Sequence, residues 1–352
     1  GCVNYSELVL EVSTTAISDY VAPEVCDALN SEDGKHFFNL NDFSTDILSG
    51  LPAGLTINYY ESFNEALLEQ NPLDLVYENT VPYSQTIYVR VENDNACYGI
   101  NEVLLTVNPL PSVDNDETIL YCLNDFPVPL TISSGIPTAD INNFTYSWSN
   151  GPNTESILVN EVGTYTVTVT DNLTGCSKSR TITIAPSNIA TVDSISVIDG
   201  SLGNNQITVL ASGEGEYQYA LIDEDGNTTP YQDSNVFTQV APGIYSVLIR
   251  DTKNNCGITE EMVSVIGFPL YFTPNGDSVN DTWQVYGISS DFQQNSIIRI
   301  FDRYGKLITQ VKASSRGWDG TYNGLPLPQS DYWFSVTLQD GRVYQNHFTL
   351  KR

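Results

Sequence analysis

The chain has 352 residues, of which 41% are hydrophobic, and its formal net charge at pH 7 is −29. This length and apolar content suffice for two to four ordinary domains and exclude wholesale disorder. A surface this acidic also excludes nucleic-acid binding, which requires basic stripes. No apolar run approaches the ~20 residues that a transmembrane helix needs, so we do not expect the chain to span a membrane.

The first residues and the charge distribution indicate how the chain is divided. GCVNYSELVLEV is typical of the middle of a sequence, so we expect a carboxyl-terminal fragment in which residues 1–21 are the terminal strand of a truncated upstream module. Residues 1–266 hold 6 Lys and Arg against 36 Asp and Glu, a net charge of −30. Residues 267–352 hold 8 against 7, a net charge of +1, and therefore predict a separate domain.

A β-module recurs along the chain and is marked by cysteines. Cys2, Cys97, Cys176 and Cys256 are each followed by an alternating apolar strand, at steps of 95, 79 and 80 residues. The last three are each preceded by a strand and a turn: TIYVRVENDNAC, GTYTVTVTDNLTGC and GIYSVLIRDTKNNC. A fixed period of this kind predicts a repeat architecture.

Two further cysteines, Cys26 and Cys122, keep the phase of the repeat, because each follows a marker cysteine by 24 or 25 residues. The equivalent position in the next repeat is Ser201. Six reduced cysteines are the alternative, which is less typical of a secreted chain. The phase predicts one disulfide bond inside each of two modules and two unpaired markers: bonds Cys26–Cys97 and Cys122–Cys176, with Cys2 and Cys256 free.

Alternation of apolar and polar residues in TIYVRV, TYTVTVT, ITVLAS and YSVLIRD predicts short strands separated by turns. The fold class is therefore all-β, with tandem immunoglobulin-like β-sandwich modules that end in a small β-sandwich C-terminal domain. Short joints that contain proline divide the chain. The predicted parts are an immunoglobulin-like first module (22–110), a PKD-like or immunoglobulin-like second module (111–187), an immunoglobulin-like third module (188–266) and the C-terminal domain (267–352).

Three aromatic residues carry predictions about packing. Tyr165 and Tyr245 each follow a glycine turn at the start of a strand, where a sandwich tyrosine often ties its hydroxyl to the backbone. Plain core packing is the alternative for both. Trp148 in YSWSNG is predicted to anchor a core.

These modules resemble the immunoglobulin-like and PKD-like repeats of large Bacteroidetes surface proteins. The resemblance rests on YSWSNG followed by GTYTVTVTD within residues 146–171, and on CDALNSEDG, YYES and TIYVRVEN in the first module. It implies a stalk or an adhesin rather than a reaction. The residues agree, because His36 and His347 are 311 residues apart and HExxH, GxSxG, CxxC and Walker-type motifs are absent. We therefore expect no catalytic residues and no enzyme.

The C-terminal domain begins with the oxygen-rich stretch FTPNGDSVNDTW (272–283). Asn275, Asp277, Asn280 and Asp281 place several oxygen atoms within seven residues. Hard oxygen ligands at short spacing can bind Ca²⁺, whereas Asx turns explain the same residues without an ion. No other cofactor is required.

The whole C-terminal domain resembles the sorting domain of type IX secretion cargo, of the type B or gliding-motility-associated class. The matching stretches are FTPNGDSVNDTW, IRIFDRYGKLI (298–308), GWDGTYNGLPLPQSDYWFSV (317–336) and FTLKR (348–352). Ser278 and Ser330 stand where family members often have glycine. The motif residues that carry the resemblance are Thr273, Pro274, Asn275, Gly276, Asp277, Asn280, Asp281, Arg303, Gly305, Trp318, Asp319, Gly320, Gly324, Tyr332, Phe348, Lys351 and Arg352.

The resemblance implies a secreted protein that is attached at the outer membrane on the cell surface. Its implied partners are the type IX translocon, an outer-membrane shuttle barrel and a protein of the PorP/SprF kind. The terminal strand VYQNHFTLKR (343–352) has a free end, so we expect it at a sheet edge, open to strand addition. Two functions follow: the stalk and sorting domain of a gliding or adhesion adhesin, or those of a secreted enzyme whose catalytic domain lies upstream.

Overall fold

The structure, a computed structural model, describes residues 16–29, 31–93 and 97–352, except for the side chain of Cys97. The predicted strand ELVLEV and Cys2 lie outside the described residues. Strands dominate the described regular structure, and the predicted all-β class with sandwich modules is confirmed. The chain divides into two compact units: the described residues up to Thr118 with Leu130–Thr183, and Ile119–Pro129 with Ile184–Arg352.

The first module is built on one main sheet. Its elements are β1 (Tyr20–Val21), β2 (Val25–Cys26), β3 (Phe37–Asn39), α1 (Asn41–Ile47), β4 (Thr56–Tyr60), α2 (Phe63–Leu68), β5 (Val76–Glu78), β6 (Ser84–Glu92) and β7 (Cys97–Asn108). The main sheet has the order β1-β7-β6-β4, with β2 also paired to β7, and β3 pairs with β5. Every second residue of β6 is buried, as its alternating pattern predicts, and Ile87, Val89 and Val91 are fully buried.

Two short helices interrupt the first module, although the sequence pattern predicted only strands. Helix α1 buries Phe43 and Ile47 in the core that the sheet forms. Helix α2 begins with an N-cap serine, because the Ser62 hydroxyl accepts the backbone N–H of Glu65 at 3.2 Å; it also donates to the Glu65 carboxylate at 3.0 Å. No helix within the described residues is long and apolar enough to cross a membrane.

The second module contains six strands. They are β8 (Glu117–Cys122), β9 (Leu130–Ser133), β10 (Phe144–Trp148), β11 (Ser156–Val159), β12 (Gly163–Asp171) and β13 (Ser177–Ser187), with 3-10 helices at Leu123–Asp125 and Ile141–Asn143. Strands β10, β12, β13 and β8 form one sheet in that order, and β11 pairs with β9. Trp148 is 3% exposed, and its indole N–H donates to the carbonyl of Thr154 at 2.8 Å. The prediction that Trp148 anchors a core is confirmed.

The third module has two sheets of three strands each. Its strands are β14 (Thr191–Ile198), β15 (Asn205–Ser212), β16 (Tyr217–Asp223), β17 (Val236–Val240), β18 (Gly243–Asp251) and β19 (Ile258–Val265). The sheet orders are β14-β15-β17 and β16-β18-β19. Their inner faces share one apolar core that includes Ile207, Val209, Val247 and Ile249, each fully buried. This is the two-layer arrangement of a β-sandwich.

The C-terminal domain is a five-stranded sheet with a small hairpin and irregular segments packed on one face. Its strands are β20 (Tyr271–Phe272), β21 (Ile297–Phe301), β22 (Leu307–Lys312), β23 (Thr321–Tyr322), β24 (Leu325–Pro326), β25 (Ser330–Thr337) and β26 (Val343–Leu350). The sheet order is β20-β26-β25-β21-β22, and β23 pairs with β24. The other face of the sheet is open to solvent.

Three tyrosines tie their hydroxyls to the backbone in the same way. Tyr165, Tyr245 and Tyr332 each donate a hydrogen bond to the carbonyl oxygen of the residue four positions earlier, at 3.0, 2.9 and 3.0 Å. The tyrosine-corner prediction for the first two is confirmed, and the C-terminal domain repeats the device.

Both disulfide bonds join consecutive modules instead of closing a module on itself. Cys26 of the first module bonds to Cys176 of the second, and Cys122 of the second bonds to Cys256 of the third. The predicted bonds Cys26–Cys97 and Cys122–Cys176 are therefore wrong, as is the prediction of a free Cys256. The repeat phase correctly identified equivalent cysteines. Each bond, however, joins a cysteine of one module to a cysteine of the following module.

The direction of β2 explains why the first predicted bond does not form. Strand β2 runs parallel to β7 and places Cys26 opposite Asn108, whereas Cys97 begins β7 at its other end. The two ends of this strand are about 36 Å apart at ~3.3 Å per residue, and bonded cysteines have Cα atoms within about 7 Å. Cys26 therefore lies where the chain leaves the first module, and Cys176 of the second module reaches it there.

An aspartate five residues before each of Cys176 and Cys256 shapes the turn that presents the cysteine. Asp171 accepts two backbone N–H groups of its own turn, at 2.8 and 2.9 Å. Asp251 is 1% exposed and accepts the N–H groups of Lys253 and Cys256, both at 3.0 Å. Burial raises the pKa of Asp251, but these hydrogen bonds outweigh it and the pKa is lowered. The pattern D-x-x-x-x-C is thus a local signal of a bonded cysteine.

Peptide mapping of the oxidised chain without reductant is expected to yield two cross-linked peptide pairs, Cys26–Cys176 and Cys122–Cys256. The bonds close loops with separations of 150 and 134 residues, so reducing either bond is expected to lower the unfolding free energy by about 5 kcal/mol in the chain-entropy model. The double variant Cys26→Ser with Cys176→Ser serves as the control and should retain only the second pair. A Cys26–Cys97 peptide would contradict this arrangement.

Candidate functional site

The loop that opens the C-terminal domain folds around the carboxylate of Asp281. The two oxygens of this side chain accept the backbone N–H groups of Asn275 at 3.0 Å, Gly276 at 2.8 Å and Ser278 at 2.8 Å. Three backbone N–H groups within four residues therefore converge on one negative charge. Asp281 fixes the shape of the loop from within.

A second carboxylate, that of Asp277, closes the middle of the same loop. It accepts the Asn275 side-chain amide and the Val279 N–H, both at 2.8 Å. The bond from Asn275, followed by that from Val279, lowers the pKa of Asp277. The loop is closed by the N–H of Thr273, which donates to the carbonyl of Asn280 at 2.7 Å.

The carboxylates of this loop are bonded to N–H groups of the loop itself. The oxygens of Asp277 and Asp281 are directed at N–H groups, whose positive ends would face a bound cation. Within residues 16–29, 31–93 and 97–352, no group of three His, Cys, Asp or Glu side chains is placed to hold a metal ion. Asx turns account for the density of oxygens in this loop without an ion.

The core of the C-terminal domain is a cluster of aromatic rings centred on Phe348 of the last strand. Phe348 is fully buried and stacks on Trp283 with ring centroids 4.2 Å apart. Four more rings lie within contact distance of Phe348: Phe272, Trp318, Tyr332 and Phe334. Offset and edge-to-face aromatic pairs stabilise a small core beyond the area they bury. The structure thus brings together Trp318 and Tyr332 from one motif stretch and Phe348 from another.

The turn after Trp318 seals one end of this core. The carboxylate of Asp319 accepts the backbone N–H and the hydroxyl of Thr321, at 3.0 and 2.8 Å. Gly320 follows with φ +79°, and a Cβ at this position would lie 2.8 Å from a methyl group of Leu350. Only glycine fits both the left-handed backbone and the close approach of the last strand.

The terminal strand β26 lies inside the sheet, between β25 and β20. Its last two residues pair in parallel with Tyr271–Phe272, so the predicted free edge does not exist there. Within the described residues, the outer side of residues 343–348 has no paired strand, so the predicted open edge is present along these six residues and is covered only at Thr349 and Leu350. Because Phe348 and Leu350 are fully buried, deleting the last strand would remove the core and unfold the domain. Lys351, just beyond it, lies 4.2 Å above the ring of Tyr271.

The remaining motif residues lie in turns away from the aromatic core. Asp302 accepts the N–H groups of Tyr304 and Lys306, each at 2.9 Å. This turn, with Gly305 at φ +76°, holds Arg303 exposed at its tip. Gly324 occupies the turn between β23 and β24, Pro274 and Gly276 lie in the opening loop, and Arg352 donates to the carbonyl of Gly320 at 3.3 Å.

An ion pair between the buried side chain of Asp199 and the partly exposed Arg342 joins the third module to the C-terminal domain, and sequence reasoning missed it. The side chain of Asp199 is 1% exposed and accepts Nη1 of Arg342 at 2.6 Å, the Tyr344 hydroxyl at 3.0 Å and the Ile266 N–H at 3.0 Å. Burial, together with this bond to Asp199, raises the pKa of Tyr344. A Cβ on Gly200 would lie 2.8 Å from the Tyr344 ring. The only local signal in the sequence was the dipeptide Asp199-Gly200, which predicts a turn and does not predict the contact with Arg342.

Two protein families match parts of the chain, and both agree with the architecture described above. Residues 266–350 match the CHU_C type IX secretion signal domain, and residues 22–111 match the Flavobacterium inter-domain disulphide bond domain. Residues 266–350 are therefore a type IX secretion signal domain, as the sequence resemblance predicted. The chain carries the stalk and sorting domain of a secreted protein, directed to the cell surface or outside through the type IX machinery.

Solved structures of tandem immunoglobulin domains are similar to this chain. Sidekick-1 immunoglobulin domains 1–5 share 10% identity, over 96% of this chain and 80% of that one, with a TM-score of 0.31. A three-immunoglobulin-domain fragment of titin shares 10%, over 72% and 95%, with a TM-score of 0.30. Extracellular domains 3–5 of Drosophila OTK share 10%, over 68% and 95%, with a TM-score of 0.21. No curated protein matches the chain.

Replacing Asp281 with alanine is expected to destabilise the C-terminal domain by about 1–3 kcal/mol, because three backbone N–H groups lose their acceptor. The measurement is urea unfolding of the whole chain, followed by tryptophan fluorescence. Asp291→Ala is the matched control, since Asp291 is exposed and its side chain accepts no hydrogen bond from a described residue. Equal stabilities of the two variants would disprove the role of Asp281.

Millimolar Ca²⁺ is expected to leave the melting temperature of the oxidised chain unchanged relative to chelator. A ligand that binds only the folded state raises this temperature, and the loop carboxylates are already bonded to N–H groups. A rise of several degrees that disappears in Asp277→Asn would restore the calcium hypothesis.

Proposed function

We propose that this chain is the carboxyl-terminal part of a large surface adhesin that serves attachment or gliding. The single observation that carries the proposal is the order of its parts: a type IX secretion signal domain at residues 266–350 follows consecutive β-modules linked by disulfide bonds. Repeated modules of this kind extend a binding region away from a surface.

The stalk has properties that suit this role. Its modules are linked by covalent bonds and carry a net charge of −30 over residues 1–266. Mutual repulsion keeps neighbouring acidic stalks apart and soluble. The bond Cys26–Cys176 and the ion pair between Lys178 and Glu32, at 2.6 Å, limit the motion of the second module against the first. Such a stalk would hold its upstream modules away from the membrane.

We further propose that the C-terminal domain is read at the outer membrane by the translocon and a shuttle barrel, and is retained there by a protein of the PorP/SprF kind. Because β26 completes the core of the domain, we place recognition on its exposed turns and on the open face of its sheet. The opening loop and the turn at Arg303 are both exposed and held in one shape by internal carboxylates.

The second candidate is the stalk and sorting domain of a secreted enzyme. The described modules present no paired catalytic groups, so any reaction would belong to upstream residues. Complete sequence of the gene distinguishes the two: many further β-modules favour the adhesin, and a hydrolase domain favours the enzyme.

Residues 188–352, fused behind a fluorescent protein that carries a periplasmic signal peptide, are expected to bring that reporter to the surface of a bacterium with type IX secretion. The third module is included because Asp199 holds Arg342 and Tyr344. Protease treatment of intact cells measures the exposed fraction. The matched control, residues 188–266 alone, should leave the reporter in the periplasm. Equal exposure of the two fusions would refute sorting by the C-terminal domain.

A further inference from the structure

The C-terminal domain carries positive charge that its own structure does not neutralise. Of its eight Lys and Arg residues, only Arg342 forms an ion pair with a described residue. Three of the seven carboxylates are bonded to backbone N–H groups, since Asp277 and Asp281 hold the opening loop and Asp302 holds its turn. Within a protein of net charge −29, this concentration of unpaired cations requires an explanation that the fold does not supply.

One of these cations, Arg299, lies on the open face of the sheet beside an aromatic row, and a second, Arg303, lies in the adjoining turn. Register places Phe301, Trp333 and His347 side by side on strands β21, β25 and β26. Trp333 is 41% exposed, and its ring lies 6.0 Å from that of His347. Arg299 precedes Phe301 by two residues on the same face of β21, and Arg303 follows it in the adjoining turn.

An open groove of about 630 Å³ runs between this row and the Arg303 turn. Its lining includes Phe301, Arg303, Trp333, Gln345 and Asn346. The solvent face of an antiparallel sheet is ordinarily polar, so a groove that combines exposed rings with free guanidinium groups is atypical of a surface that meets only water.

We propose that this groove, named here the Arg303 groove, binds an acidic segment of an outer-membrane protein partner. The inference rests on the proposed function. It identifies where on the C-terminal domain the outer-membrane partner binds, and it assigns acidic side chains to the partner's binding segment. A carboxylate of the partner pairs with Arg303, while an apolar side chain packs on Trp333. Arginine and tryptophan are the residue types that dominate binding energy at protein interfaces.

The hydrogen bonds around the groove favour carboxylates over sugar hydroxyls. Recognition of a sugar would need free amides and carboxylates, but Asn346 accepts the N–H of His347 at 2.8 Å and Gln345 donates to Ser335 at 3.4 Å. Asp302 is likewise bonded within its own turn. The charged donor of the groove is the guanidinium group of Arg303, and guanidinium groups bind carboxylates in a planar, bidentate geometry.

The shape of the groove favours a protein over a lipid surface. A membrane surface is flat and is met by flexible, snorkelling cations and inserted aliphatic side chains. Here Arg303 is carried on a tight turn, Trp333 lies in the middle of the sheet, and the groove between them is concave. A protruding acidic loop fits such a concavity.

The first arm of the test compares two arginines in the full chain, produced with a signal peptide in a bacterium that has type IX secretion. Arg303→Glu is expected to lower the surface-exposed fraction roughly tenfold, as loss of one central contact does. Arg316→Glu makes the same change of charge at an exposed arginine outside the groove and should have no effect. Equal melting temperatures of the purified variants exclude unfolding.

The second arm identifies what lies in the groove. A photoreactive benzoylphenylalanine replaces Gln345, and irradiation of intact cells is expected to give one adduct with an outer-membrane protein, whose cross-linked peptide contains Asp or Glu by mass spectrometry. The yield should fall in Arg303→Glu and at high salt, which screens exposed charges, but not in Arg316→Glu. An adduct with a glycan or a lipid would overturn the inference.

Export of the unsubstituted chain separates the two proposals. If that chain does not reach the surface, the proposed function fails, and the inference fails with it. If it does, while Arg303→Glu is exported as well as Arg316→Glu, only the Arg303 groove is disproved.

Discussion

The parallel pairing of β2 with β7 is the constraint on which the organisation of the stalk depends. It carries Cys26 along the last strand of the first module to the end where the chain leaves, so the cysteine can meet only the next module. The bond between Cys122 and Cys256 repeats this relation one module later. The direction of one strand thereby places its cysteine where a disulfide bond forms with the next module. The first module is bonded to the second, and the second to the third.

Much of this architecture is predictable from sequence, because the signals are local. Alternating residues such as Ile87, Val89 and Val91 mark strands, and cysteine spacing marks equivalent positions in the repeat. The bond partners are not predictable this way, because spacing does not give strand direction. Helix α2 had a readable signal in the N-cap serine Ser62, which the strand-rich surroundings obscured. The contact of Asp199 with Arg342 has no local signal, since 143 residues separate them.

The C-terminal domain shows why a sorting motif is distributed over a whole sequence. Phe348, Trp318 and Tyr332 are motif residues because they build the core. Asp277 and Asp281 are motif residues because they shape a loop. Arg303 forms no ion pair with a described residue and lies 5.7 Å from the ring of Tyr304, so we assign its charge to an external partner. The motif of this domain therefore includes residues that stabilise the fold and a residue that we assign to partner recognition. The contacts in the structure distinguish the two groups, whereas the sequence does not.

The two disulfide bonds overlap along the chain, since Cys122 lies between Cys26 and Cys176, and Cys176 lies between Cys122 and Cys256. Under mechanical load this overlap limits extension. The shortest covalent path from Cys26 to Cys256 uses both bonds and only the 54 residues between Cys122 and Cys176, instead of the full 230 residues. At ~3.5 Å per residue, the maximum distance between Cys26 and Cys256 is about 190 Å in the oxidised chain and about 800 Å in the reduced chain, even if every strand between them is unfolded. Oxidation thus makes the stalk a tether whose maximum length is fixed by the two bonds.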